Sequence, residues 1–181
     1  NLVVTDFTNL VDGSDWEDSE RIDWTGFNSL IYLSTSSPYA GVKSLRFESD
    51  AAVRKLYSGA NPSCKIGEEF HLEFYVKTSA SFNGGTNTKL RLADVNNGGI
   101  VIYVLNVPLS LTWTKITGTY TSTVNSKLDI QMWADHTVGT VWVDNIIIKR
   151  KAGGELIVDG AITANKIAAG SIEADKIDTL A

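Results

Sequence analysis

The chain is poor in residues that carry covalent chemistry. Its 181 residues include one cysteine, Cys64, and two histidines, His71 and His136, which lie far apart in sequence. A lone thiol forms no internal disulfide, so the redox compartment stays open and a reducing cytoplasm is allowed during assembly. There is no His-Glu-x-x-His, Cys-x-x-Cys, Gly-x-Ser-x-Gly or phosphate-loop pattern. Glycosidase chemistry needs two opposed carboxylates in a cleft. Glu68, Glu69, Glu73, Asp129 and Asp135 are present, but nothing in their spacing pairs them, and solvated strand faces account for them. The chain reads as non-enzymatic.

Positive charge is also scarce. Sixteen Lys and Arg stand against 21 Asp and Glu, a net charge of −5, with a pI near 5.0. Phosphate-backbone binding depends on clustered basic residues. The one tight run, Lys149-Arg150-Lys151, reads as a solvated domain boundary, so no nucleic-acid partner is expected. No stretch approaches the roughly 20 apolar residues of a membrane helix, and no membrane insertion is expected. Asn1-Leu-Val-Val-Thr-Asp6 has neither the basic start nor the apolar run of a signal peptide. The chain lacks an initiator Met and its terminal repeat stops at Ala181, so it reads as a fragment of something longer.

What the chain has in quantity is strand signal. In Glu69-Phe-His-Leu-Glu-Phe-Tyr-Val-Lys77, Phe70, Leu72, Phe74 and Val76 share one face while His71, Glu73 and Lys77 lie opposite. That period of two marks a half-buried strand. Similar runs cover Ser44–Glu48, Lys89–Ala93, Ile100–Val107, Thr112–Tyr120, Lys127–Ala134 and Thr140–Lys149. Turn clusters separate them, at residues 81–87 and at Asn96-Asn-Gly-Gly99, where residues that tolerate positive φ suit a tight hairpin. No amphipathic helix of ten or more residues appears before residue 150. About eight short strands with polar turns predict an all-β antiparallel sandwich or barrel over residues 1–150.

Past Lys151-Ala-Gly-Gly154 the composition changes, and no aromatic residue follows. Residues 151–181 read as a linker and a ten-residue repeat: Gly160-Ala-Ile-Thr-Ala-Asn-Lys-Ile167 is answered by Gly170-Ser-Ile-Glu-Ala-Asp-Lys-Ile177. Each copy has material for one helical turn, too short to be stable alone. Its isoleucines need other copies of the chain to bury them, and three chains winding together would do so. A disordered linker is the alternative.

Two resemblances rest on these residues. The tail "GGELIVDGAITANKIAAGSIEADKI" resembles the repeats near the C-terminus of tailed-phage host-specificity (central tail fibre) proteins, which are homotrimers. It implies a short trimerising stalk, a place in the virion at the tail tip or fibre, and other tail proteins as partners. The first 150 residues resemble jelly-roll carbohydrate-binding modules of the xylan- and cellulose-binding type. Asn1-Leu-Val, Phe7, Tyr39–Phe47, Ile66–Thr78, Leu111–Tyr120 and Val141–Ile148 occur in that family's order and spacing. The implied fold is a β-sandwich jelly roll, and the implied partner is a host cell-surface glycan, a bacterial polysaccharide.

An apolar pyranose face stacks on Trp or Tyr while Asn, Gln, Asp and Arg bond the hydroxyls. In Leu128-Asp-Ile-Gln-Met-Trp-Ala-Asp135, alternation sends Leu128, Ile130, Met132 and Ala134 to the core and Asp129, Gln131, Trp133 and Asp135 outward. Lys89 and Arg91 point outward by the same rule. The resemblance places the saccharide on a concave sheet face, so Trp133, Gln131, Asp135, Arg91, Tyr103 and Tyr57 form the candidate site. A loop lying over Trp133 is the other reading. Trp113 and Trp142 match positions packed within the family's fold. Of Trp16 and Trp24, one is expected to plug the sandwich end and the other is open to exposure. The resemblance also implies one structural Ca2+ between the first and last strands, with Asp144 as acidic ligand. The second ligand position holds Thr8, with Asp6 nearby, and capping a turn is Asp144's alternative role.

Overall fold

The computed structural model describes residues 9–11, 15–17, 24–49, 54–83 and 88–151. Among them run eleven strands: β1 Trp24–Thr25, β2 Ile31–Ser34, β3 Ser44–Glu48, β4 Arg54–Ser58, β5 Ser63–Cys64, β6 Glu69–Thr78, β7 Lys89–Asp94, β8 Ile100–Asn106, β9 Thr114–Thr121, β10 Ser126–Ala134 and β11 Thr140–Lys151. They form two antiparallel sheets. The first has the order β1-β4-β10-β7-β8, with β5 also paired to β10; the second has the order β2-β3-β11-β6-β9. The one helical element among the described residues is a 3-10 turn, Val95–Asn97. The stalk repeat and Asp6 lie outside the described residues.

Alternation builds the core. Phe70, Leu72, Phe74 and Val76 of β6 are wholly buried, as are Leu128, Ile130 and Met132 of β10 and Leu45 and Phe47 of β3. Each such side chain contributes about 1.5–3 kcal/mol by leaving water. Strand β11 keeps its apolar residues inside by an irregularity. Val141 and Val143 face in, and an extra residue between Asp144 and Ile147 then brings Ile146 and Ile148 in. Asn145 sits in this bulge at φ 47°. Asn9 docks beside it: its Nδ2 donates to the Ile146 carbonyl at 2.9 Å, and its Oδ1 accepts from Ile148 N at 2.8 Å. The β7–β8 hairpin turns as its residues demand, with Asp94 accepting from Asn96 N at 3.1 Å and Gly98 and Gly99 at φ 65° and 78°.

All seven strands read from the sequence are present, with ends displaced by no more than a few residues. The tryptophans fall differently. Trp142 lies between inward Val141 and Val143, so it faces outward and is half-buried, with Arg46 Cζ 5.3 Å from its ring. Trp113 is also half-buried, its ring 5.7 Å from that of Tyr39. Neither joins the core. Trp16 and Trp24 are both buried, with ring centroids 5.2 Å apart, so the expected division between a plug and an exposed ring does not occur.

Asp144 faces outward by register yet is wholly buried, because the loop before β3 covers it. Its Oδ2 accepts from Tyr39 N at 2.9 Å and Ala40 N at 3.4 Å, and its Oδ1 accepts from Asn145 N at 2.8 Å. A hard cation needs six or more oxygen ligands. Here the carboxylate meets amide hydrogens, and no group of three or more His, Cys, Asp or Glu gathers among the described residues. That donor set anchors the loop; the other ligand positions that the resemblance implies, Asp6 and Thr8, lie outside the described residues.

Two buried groups titrate with opposite effect. Burial raises the Asp144 carboxyl to about 6, against three backbone hydrogen bonds that lower it. Between its ordinary 3.8 and about 6 the folded protein holds the extra proton, so this group's contribution is lost as pH rises. Burial lowers His136 below its ordinary value, opposed by the backbone of Gly139 and by Asp135, so its contribution is lost as pH falls. We predict that Asp144→Asn, which loses an anchoring acceptor, is less stable than the parent in acid. The deficit should narrow by up to about 3 kcal/mol as pH rises through this window. Urea unfolding across about pH 4 to 7 measures it, and a widening deficit contradicts the sign.

Candidate functional site

The outer face of the first sheet collects polar and aromatic side chains in two neighbouring rows. Strand β10 is the middle of it, with β4 on one side and β7 on the other. In one row Tyr57 of β4, Gln131 of β10, Arg91 of β7 and Val104 of β8 lie opposite one another. In the next row stand Lys55, Trp133, Lys89 and Asn106. Each strand turns its apolar residues, such as Leu56, Leu90 and Met132, into the core, which leaves these on the other side.

Gln131 organises the face. Its side-chain oxygen accepts from Arg91 Nε at 2.6 Å and from Trp133 Nε1 at 2.7 Å. Its amide nitrogen donates to Asp129 Oδ2. The glutamine is 4% exposed, so these bonds are shielded from water and hold both partners in place. Trp133 is half-buried, and two cations sit over its ring: Arg91 Cζ lies 3.2 Å and Lys55 Nζ 4.0 Å from the centroid. They come from strands on either side of β10, and both contacts are cation–π in kind. Burial lowers the Arg91 guanidinium below its usual value, with Tyr57 and Asp129 opposing; arginine remains protonated regardless.

The structure therefore brings Trp133, Gln131, Arg91 and Tyr57 together. Asp135 follows the last residue of β10 at the edge of this group, half-buried, with its N–H directed to Thr88 Oγ1 at 3.4 Å. Tyr103 is elsewhere. It lies opposite inward-facing Leu92, and its ring packs 5.5 Å from that of Tyr120. Its hydroxyl occupies the space that a Cβ on Gly118 would need. Lys55 was missed by sequence reasoning because β4 was not recognised as a strand. The alternation in Arg54-Lys-Leu-Tyr-Ser58, with Leu56 inward, is the signal that would have found it.

A second aromatic group lies on the outer face of the other sheet. Tyr39 stacks on Tyr75 with centroids 3.7 Å apart, and Trp113 meets Tyr39 edge-on. Two of its cations are paired, with Glu73 holding Lys115 at 2.7 Å and Glu48 holding Arg46 at 2.7 Å, while Lys77 donates to Ser37 Oγ at 2.9 Å.

This sandwich has known counterparts. It is similar to a family 16 carbohydrate-binding module, with a TM-score of 0.63 and 16% identity over 77% of this chain and 99% of that one. The CBM22-1 xylan-binding domain of Xyn10C from Paenibacillus barcinonensis gives a TM-score of 0.53 and 17% identity over 81% of this chain and 97% of that one. The enzymatically active domain of tailspike protein 4 from bacteriophage CBA120 gives 0.56 and 15%, over 79% of this chain but 21% of that one. No family model matches the chain, and no curated protein matches it in sequence. At such identities the likeness establishes the fold, a jelly-roll β-sandwich of the architecture used by carbohydrate-binding modules.

Gln131→Leu tests the wiring of the face. It leaves the Arg91 and Trp133 N–H groups without their shared acceptor, so the expected loss is about 1–3 kcal/mol in urea unfolding. A neutral result would show that the bonds are replaced by water at no cost.

Proposed function

We propose that the protein is a non-catalytic glycan-recognition domain carried on a trimeric phage tail fibre, where it engages polysaccharide on the host cell surface. One observation carries this reading. Three adjacent strands deliver Tyr57, Gln131, Trp133 and Arg91 to one outer sheet face, with the last three side chains held by hydrogen bonds to one another. Such preorganisation lowers the cost of binding. The likeness to named carbohydrate-binding modules and to a tailspike domain gives the reading its context. The repeat at residues 160–177 supplies a reason for three copies. Weak single sites gain strength when linked, because a second binding event becomes intramolecular. On this reading the protein works in the virion beside other tail proteins.

A second reading makes the domain a ligand-free spacer of the fibre. The two cations over Trp133 favour it, since they occupy space that a stacking sugar would take. A third makes it the binding module of a secreted polysaccharide-degrading enzyme, as the xylan-binding likeness suggests. Linkers in such enzymes are usually rich in Pro, Thr and Ser or in Gly, and this chain has no proline after Pro108.

A glycan array probed with the chain and with Trp133→Ala, each checked for mass by light scattering, separates these readings. Recognition by a fibre predicts a trimer that binds a defined bacterial glycan, with binding at least about tenfold weaker in the variant, equivalent to ~1.4 kcal/mol. A trimer that binds nothing supports the spacer. A monomer that binds plant cell-wall polymers supports the enzyme module.

A further inference from the structure

The donors and acceptors on the outer face of the first sheet are unequally committed. Gln131 spends its oxygen on Arg91 and Trp133, and its nitrogen on Asp129. The Gln131 oxygen, an acceptor through which a neutral sugar's hydroxyl could be held, is thus in use. The donors are not. Of the five N–H donors of a guanidinium, Arg91 uses one, on Nε. The Lys55 ammonium makes no hydrogen bond among the described residues and lies over the Trp133 ring.

Two of the face's cations also lack a paired anion. Neither Arg91 nor Lys55 forms an ion pair with any described carboxylate. On the second sheet Arg46 and Lys115 lie 2.7 Å, and Arg150 and Lys151 3.6 Å, from a glutamate oxygen, while Lys77 donates to Ser37 Oγ. Lys89 stands in the same row as Lys55, so three cations share this face in a chain whose net charge is −5. Asp129 keeps its negative charge while accepting from the Gln131 amide and attracts Arg91 through space, but it forms no ion pair with Arg91 or Lys55. The Trp133 ring, covered by Lys55 and Arg91, acts as a seat that holds positive charge at a fixed place.

Resting on the reading of this face as a glycan site, we propose that its ligand is an acidic polysaccharide, whose anionic groups pair with Arg91 and Lys55 across Trp133. An anion supplies acceptors for the uncommitted N–H donors of Arg91 and Lys55, and a guanidinium with both terminal nitrogens unused suits a carboxylate. Neutral polymers that rely on an open aromatic ring fit less well, because a cation must be displaced before the ring is reached.

The test uses the full chain against polygalacturonate, heparin, and the neutral polymers xylan and galactan, in low and in moderate salt. Binding to polygalacturonate is expected, weakened at least about fivefold by raising salt from about 50 to 200 mM. It should also weaken at least about tenfold in Lys55→Gln and in Arg91→Gln, and persist in Lys55→Arg and Lys65→Gln, with circular dichroism verifying the fold of each. Equal binding of heparin keeps the anionic class and removes the preference for carboxylate; heparin alone shifts the anionic group to sulfate. Salt-insensitive binding to xylan or galactan alone overturns this inference while leaving glycan recognition standing. Binding to none of the four, with the host's own neutral and acidic polysaccharides also failing, overturns both.

Discussion

Strands β10 and β11 are each hydrogen-bonded to neighbours on both sides, and the rest of the molecule depends on that constraint. With their backbone groups paired, these central strands can differ only in what they send to each face. Inward they send Ile130, Met132, Val141 and Val143, all wholly buried, and the two sheets close on one another through them. A residue on the outer side of β10 is consequently fixed in position by the packing beneath it. Trp133 and Gln131 stand on the most rigid kind of support the fold offers.

The same constraint explains why the polar face is wired internally. Gln131 is nearly buried and must satisfy its amide, and its partners are side chains from its own row and the next. Satisfying it orients the Trp133 edge and the Arg91 fork together. The site's chemistry then follows from which groups remain uncommitted, and those are cationic donors. On the proposed reading, stability and ligand preference rest on one network, and a substitution there moves both.

Much of this was legible in the sequence because alternation is a local signal. Phe70 to Val76 and Leu128 to Ala134 declare their inward faces without reference to anything distant. Strand β8 does not. Its residues Ile100-Val-Ile-Tyr-Val-Leu105 are apolar at every position, so the sequence assigns Tyr103 to neither face, and pairing with Leu92 decides it. Trp142 was misplaced for a related reason. A large aromatic suggests a core, yet its two valine neighbours claim the inward positions. Lys55 was lost with β4, a strand of five residues whose alternation rests on Leu56.

The bulge in β11 has a mechanical consequence. Asn9 and Leu10 bond to Ile146 and Ile148, with Leu10 N donating to the Ile148 carbonyl at 2.8 Å. Lys151, where the strand leaves the sandwich, is roughly 10 Å further along. The point where the chain enters the second sheet and the point where it leaves are thus fastened to one strand. A pull between them loads this short stretch of β11 and its clasp on Asn9. The first sheet, with the face that carries Gln131 and Trp133, takes no part in this clasp.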